Sequence, residues 1–333
     1  MASALDSRKA GADWRTTRPQ RWRVLAEAIV PLAALLALVL YFSATTPSFL
    51  TRANFLALSE LVGPLLLVSL GATFVMLTGS IDLSVGSVAM LAGSASAVLL
   101  SSTTAGLWVL PIAVGLGAAC GLLNGVIFTY GRVPSFIVTL GALSVFQGIG
   151  LKLINGSPVP FDNAAFSNLA IGQLIPSVAN VALWGVGLWA IGVFVGLRTK
   201  LGHYMYALGG SERVARLSGV AVDRYKVYPF ILSGMTSAIA GLLSVAQLSS
   251  GGPTLGSSFL LDSLAAIVVG GTALTGGVGG VHRTLLGVLI ISILDDGLNM
   301  RGIGEFTQEV IKGAVIVVAA AVVMIGQRKG IVK

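Results

Sequence analysis

The chain has 333 residues, 55% hydrophobic and only 10% charged, and its mean hydropathy is +0.91. A soluble domain carries about a quarter charged residues, so this chain has too little polar surface to face water on all sides, and its natural solvent is lipid. The net charge of +8 is spread over short segments between apolar runs, not gathered into one patch with interleaved aromatics, which excludes nucleic acid as a partner.

Residues 1–23 are polar and basic and read as a cytoplasmic N-terminal tail. The apolar run from Leu25 is long enough to span and no small-residue cleavage site precedes it, so it reads as a retained first helix rather than a signal peptide. Windows of about 20 apolar residues then place spans near 25–44, 55–78, 83–101, 107–128 and 135–153. A polar segment at 154–179 follows, with Asn155, Asp162, Asn163 and Asn168. Further spans fall near 181–197, 227–248, 260–276, 284–300 and 307–325, with a charged stretch at 198–226 and a short tail at 327–333. The fold class is therefore an all-α polytopic membrane protein of about ten transmembrane helices, with residues 24–326 as one membrane domain. Spans two, three and eight are the least regular. The single cysteine, Cys120, lies in an apolar stretch and reads as a small buried side chain.

With ten spans both termini lie on the same side. Placing them inside puts on the inner side the six basic residues of the N-terminal tail, six in 198–226, three near the C-terminus, Arg132 and Arg283. Arg52, Lys152, Arg301 and Lys312 are the four left over. That asymmetry obeys the positive-inside rule and gives an N-in/C-in topology.

Two Gly-rich breaks interrupt the apolar sequence, at 79–86 and 270–280, one in each half. Broken helices in transporters occur where backbone lines a cavity or packs on protein. Close helix packing through small residues is the plainer reading of the second break. No catalytic constellation is present: His203 and His282 stand apart, and the glycines of 270–280 lack the Lys-Ser/Thr ending of a phosphate-binding loop. No cofactor is expected in this chain, and any ATP site must lie on another subunit.

Within 198–226, Gly209 and Gly210 break the chain and Ser211 is placed to cap a short helix Glu212–Leu217 that Gly219 ends. Glu212 and Arg216 stand four apart, the spacing of a helical ion pair. A short surface helix held between two membrane helices can dock in a groove on a partner.

These residues resemble a known family, the permease subunits of ribose-type sugar ABC importers. The resemblance runs from about residue 45 to the C-terminus. It is carried by LTGSIDLSVGSV at 77–88, LLNGVIFTYGRVPSFIVTLG at 122–141, ALGGSERVARLSGV at 207–220, LDSLAAIVVGGTALTGGVGG at 261–280 and LDDGLNMRGI at 294–303. It implies a ten-helix subunit of the inner membrane that pairs with a second permease subunit, as a homodimer or a paralogous heterodimer, around one translocation path. An ATP-binding-cassette ATPase carrying Mg-ATP would drive it, and a periplasmic sugar-binding protein would deliver the substrate. The residues facing the ATPase would be Gly210, Ser211, Glu212, Arg213, Ala215, Arg216 and Gly219.

The chain departs from the family pattern at Ser80, usually Gly, and at Asp295-Asp296, where Asn is frequent. Two carboxylates in lipid are costly, so this pair is expected at a solvated interface or facing a pore or partner. Asp82, beside Ser84 at the first break, is expected to accept hydrogen bonds from exposed backbone N–H groups, or else to line the path. Asn124 and Gln147 fit interhelical hydrogen bonds, and with Asn299 complete the candidates for the path or its support. The alternative function is an ion-coupled secondary transporter of a small polar solute, with Asp82 or Asp262 as its coupling acid.

Overall fold

The computed structural model describes residues 21–102 and 106–328; the tail residues 1–20 and 329–333 lie outside the described residues. Its helices are α1 (Arg21–Thr45), α2 (Arg52–Leu77), α3 (Val85–Ser102), α4 (Val109–Tyr130, entered through a short 3₁₀ turn), α5 (Ser135–Leu153), α6 (Ala164–Ile171), α7 (Asn180–Arg198), α8 (Lys200–Gly210), α9 (Glu212–Leu217), α10 (Val222–Leu248), α11 (Phe259–Val269), α12 (Val281–Met300) and α13 (Glu305–Arg328). A two-residue antiparallel ladder joins β1 (Val159–Pro160) to β2 (Ser250–Gly251). The protein is a helical polytopic membrane protein, and each apolar window of the sequence coincides with a helix.

By length and composition, α2, α3, α4, α5, α7 and α10 each suffice to cross a membrane. The window at 260–276 does not form a full crossing helix. Its helical part, α11, has 11 residues and a length of ~16 Å against a hydrocarbon core of about 30 Å. The glycines that follow leave the helix at Gly270. Two helices lie where none was expected: α6 inside the polar segment, capped by Asn163, and α8 before the short surface helix.

Close approach through glycine organises the bundle around α10. Gly117, Gly121 and Gly125 recur every fourth residue on α4 and face α10. A Cβ on Gly121 would stand 2.0 Å from the Phe230 carbonyl oxygen, and one on Gly234 would stand 2.1 Å from that of Gly117. Only glycine lets these backbones touch, and in lipid such contact replaces the hydrophobic effect as the source of helix association. Around this seam Leu67, Val88, Leu242 and Val245 are buried. Phe306, Val310 and Val317 on α13, and Phe194 on α7, remain exposed, as befits surfaces solvated by lipid.

Candidate functional site

The two Gly-rich breaks and the Gly209-Gly210 pair, separate in sequence, meet at one end of the bundle. The Gly277 N–H donates to the Leu77 carbonyl at 3.0 Å, which ties the end of α2 to the second break. A Cβ on Gly276 would lie 2.5 Å from the Gly79 nitrogen, and one on Gly209 would lie 2.0 Å from the Leu77 oxygen and 2.3 Å from the Gly277 nitrogen. Gly79, Gly276 and Gly277 also have φ between +72° and +82°, a region open to glycine and strained for other residues. The Tyr206 hydroxyl of α8 donates to the Gly279 carbonyl at 3.1 Å. The junction is therefore backbone against backbone, with no side chain to cushion it.

Directly after this junction the chain turns into α9. Gly209 and Gly210 do not themselves break the helix, because α8 runs through Gly210. The turn is at Ser211, whose extended backbone stands at φ −166° and whose hydroxyl oxygen accepts the Val214 N–H at 3.3 Å. Gly219, at φ +81°, closes the far end. Ala215 is buried against Leu208 of α8 and Val222 of α10. Arg216 bonds Glu212 at 3.2 Å and Asp223 at 3.1 Å, and Lys226 reaches Glu212 at 2.6 Å. The Lys226 contact, with Arg216 beside it, holds the Glu212 carboxyl below its ordinary range, and Glu212 and Asp223 raise the Arg216 guanidinium. These pairs are mostly exposed and each adds little; the buried Ala215 seats α9 on α8 and α10.

The exposed surface of α9 carries Arg213, Val214 and Leu217 beside Glu212 and Arg216, with Leu217 80% exposed. Val214 and Leu217 escaped the sequence reading because it followed charge. The signal was present, as two apolar residues three apart on a helix in a polar loop.

At the first break the Asp82 carboxylate accepts three hydrogen bonds: the Ser84 N–H at 2.9 Å, the Ser84 hydroxyl at 2.6 Å and the Ser233 hydroxyl of α10 at 2.8 Å. Asn124 of α4 donates to the Ser84 oxygen at 2.8 Å. The structural role expected of Asp82 and the interhelical bond expected of Asn124 are both present. Gly71 of α2 abuts Ser233 as well, so the break re-enters the bundle to the level of Gly71, ~9 Å along from the end of α2.

Asp295 and Asp296 are not in a solvated position. Asp296 is buried and accepts the Asn54 side-chain N–H at 2.8 Å. Asp295 and Asp262 share Lys312, at 3.1 and 3.0 Å. The reason is their phase on α12, which turns both carboxylates toward α2, α11 and α13. Asn299 is exposed one turn further on. Gln147 is exposed on α5 and makes no interhelical hydrogen bond among the described residues. Cys120 is buried, as expected.

A multi-pass bundle with two Gly-rich breaks, and with α8 packed on both of them, is the architecture of a helical membrane protein whose broken segments pack on protein. Residues 54–320 match the family described as branched-chain amino acid transport system / permease component, and the chain belongs to this family. It is 38% identical over 296 residues to the ribose import permease protein RbsC of Escherichia coli K12, covering 87% of this chain and 92% of that protein. To the protein of the same name from Bacillus subtilis it is 37% identical over 299 residues, with coverages of 87% and 90%. The xylose transport system permease protein XylH of Escherichia coli K12 is 32% identical over 358 aligned positions, with coverages of 88% and 90%. No solved structure matches the chain. The protein is thus a permease component of an ABC-type import system in the inner membrane, a transport subunit rather than an enzyme.

Proposed function

We propose that this chain translocates a monosaccharide, a ribose-like pentose, a hexose or a related polyol, by alternating access driven by ATP hydrolysis on a partner subunit. The observation that carries this reading is α9: an exposed apolar pair, Val214 and Leu217, on a short helix that directly follows α8, whose Gly209 packs on both helix breaks. A partner that grips this pair and moves acts on α2, α3 and the segment before α12 together. The basic residues of 198–226 support a cytoplasmic position for this end of the bundle, where Mg-ATP is available.

The partners in this reading are an ATP-binding-cassette ATPase that binds Mg-ATP, a periplasmic sugar-binding protein and a second permease subunit. The sugar substrate follows from relatives named for ribose and xylose. Asp82 and Asp262, the acids an ion-coupled carrier would need, are already engaged by hydroxyls and by Lys312.

The test is reconstitution of the complete complex in proteoliposomes, with uptake of radiolabelled ribose and xylose measured against ATP hydrolysis. Uptake should require ATP and persist with an uncoupler present. Leu217→Asp should abolish it by weakening assembly with the ATPase, since a charge replaces an apolar contact. Uptake that collapses with the uncoupler while ATP is present overturns the reading.

A further inference from the structure

The segment between α10 and α11 does not stay at the membrane surface. Gly251 lies against the Gly93–Ala97 stretch of α3, whereas Gly256 lies against Gly86. The segment therefore descends along α3 by two to three helical turns, ~10–16 Å. α3 itself starts inside the bundle: Asp82, just before it, sits at the level of Gly71, and Gly241 of α10 abuts Ala89. Two helices thus begin within the membrane layer, side by side, one from each half of the chain. Where they meet α5 the structure leaves a cavity of about 210 Å³.

We propose that this cavity is a subsite for a neutral, hydroxyl-rich ligand on the translocation route; the proposal rests on the importer reading above. Three features carry it. First, its wall is amphipathic. Leu143, Met90 and Leu260 supply an apolar floor, and Ser87, Gln147 and Ser257 supply polar groups. A sugar ring has the matching surface, with C–H faces and a rim of hydroxyls.

Second, the polar groups have capacity to spare. The Gln147 amide, with two donors and an acceptor, has no protein partner among the described residues, although it projects from a helix whose other exposed residues include Leu140, Val145 and Ile149. The Ser87 hydroxyl donates to the Ser84 carbonyl at 2.8 Å, which leaves its own lone pairs to accept. Gly86 and Ser87 in the first turn of α3 and Leu260 in that of α11 also line the cavity, where helix-start N–H groups lack intrahelical acceptors, although the Phe259 N–H is already taken by the Gly256 carbonyl. An unpartnered amide facing lipid is unfavourable, and one facing a passing hydroxyl is not.

Third, no Lys, Arg, His, Asp or Glu lines the cavity. An ionic ligand would find no counter-charge there, so the chemistry selects a neutral one. The volume lies below the ~300 Å³ at the lower end for drug-sized ligands, which suits a single ring. The larger cavity of about 450 Å³ between α6 and α7 differs: its lining is apolar apart from Asn168 and Asn180, and the Asn180 amide is engaged by Asn168 and Leu174.

The experiment compares wild type, Gln147→Leu and Ser257→Ala in the complete reconstituted complex, with radiolabelled ribose and xylose as probes. Uptake and ATP hydrolysis are measured together, and each variant is first checked for a monodisperse elution profile. Both positions are exposed, so neither change disturbs packing. The expected result is that sugar moved per ATP hydrolysed falls roughly tenfold in Gln147→Leu, the loss of one or two hydrogen bonds to a desolvated ligand, and by less in Ser257→Ala. A ratio within twofold of wild type in both variants overturns the subsite and leaves the importer reading standing. A parallel fall of uptake and ATP hydrolysis also overturns it, since these residues would then serve coupling. A wild-type complex that hydrolyses ATP but moves neither sugar removes the importer reading first, and the subsite with it.

Discussion

Lys312 shows how much a single side chain can hold together. It extends from α13 to Asp262 on α11 and Asp295 on α12, so one cation links three helices. A charge in a membrane helix costs on the order of 2.5–3.5 kcal/mol on insertion scales, and the three groups are tolerable only as a set. Removing one member leaves the others unpaired. Lys312→Met should therefore destabilise the folded subunit by about 3–5 kcal/mol, measured as a lowered midpoint in thermal unfolding of detergent-solubilised protein. Lys312→Arg should retain most of the stability, because the guanidinium still reaches both carboxylates. From sequence, Lys312 was only a positive charge on the unfavoured side of the count, and Asp295 and Asp296 only two costly acids. Their partners are 17 to 242 residues away, and no local pattern reveals pairing over that distance. Asp82 was legible because its partner Ser84 is its near neighbour and the break itself announces unsatisfied backbone.

At the level of elements, the glycine junction joins three segments that are far apart in sequence. Gly209 and Gly210 are adjacent and look equivalent, yet their surroundings differ. A Cβ on Gly209 would strike the backbone of Leu77 and Gly277, whereas one on Gly210 meets nothing within 4 Å. Gly209→Ala must therefore push α8 off the two breaks, at a cost of about 1–3 kcal/mol from overpacking, and should uncouple ATP hydrolysis from sugar uptake. Gly210→Ala should be neutral or slightly stabilising, since alanine is favoured over glycine in a helix by about 1 kcal/mol. The comparison is made on uptake per ATP hydrolysed in the reconstituted complex. Equal behaviour of the two variants would remove the junction from the mechanism. The sequence marked all three glycine clusters but could not show that they touch. It foresaw α9 correctly, because Ser211, Glu212, Arg216 and Gly219 are local signals, and it missed α8, whose glycines at the C-terminal end read as breakers until packing overrides them.

For the whole molecule, every apolar window became a helix because hydropathy over about 20 residues is set by the lipid and not by neighbours. The sequence is weakest where the chain enters the membrane layer without crossing it. The window at 260–276 concealed a half-helix, and nothing in the sequence marked the stretch at 252–258 as re-entrant. Both depend on neighbouring helices to satisfy their backbone, which composition does not encode. The same distinction decides the topology, because a half-helix that fails to cross would reverse everything after it. The balance of Lys and Arg requires that α11 and the following 270–280 segment together bring the chain back to the cytoplasmic side before α12. Single cysteines test this in a Cys120→Ser background, with a membrane-impermeant maleimide applied to sealed inside-out and right-side-out vesicles. Ser218, exposed beside α9, should label as cysteine only from the cytoplasmic face. Asn168 in the α6 segment and Asn299 near the end of α12 should label only from the opposite face. Labelling of residue 299 from the cytoplasmic face would mean that α11 and its glycine segment do not complete a crossing, and the expected C-in end would then have to lie outside.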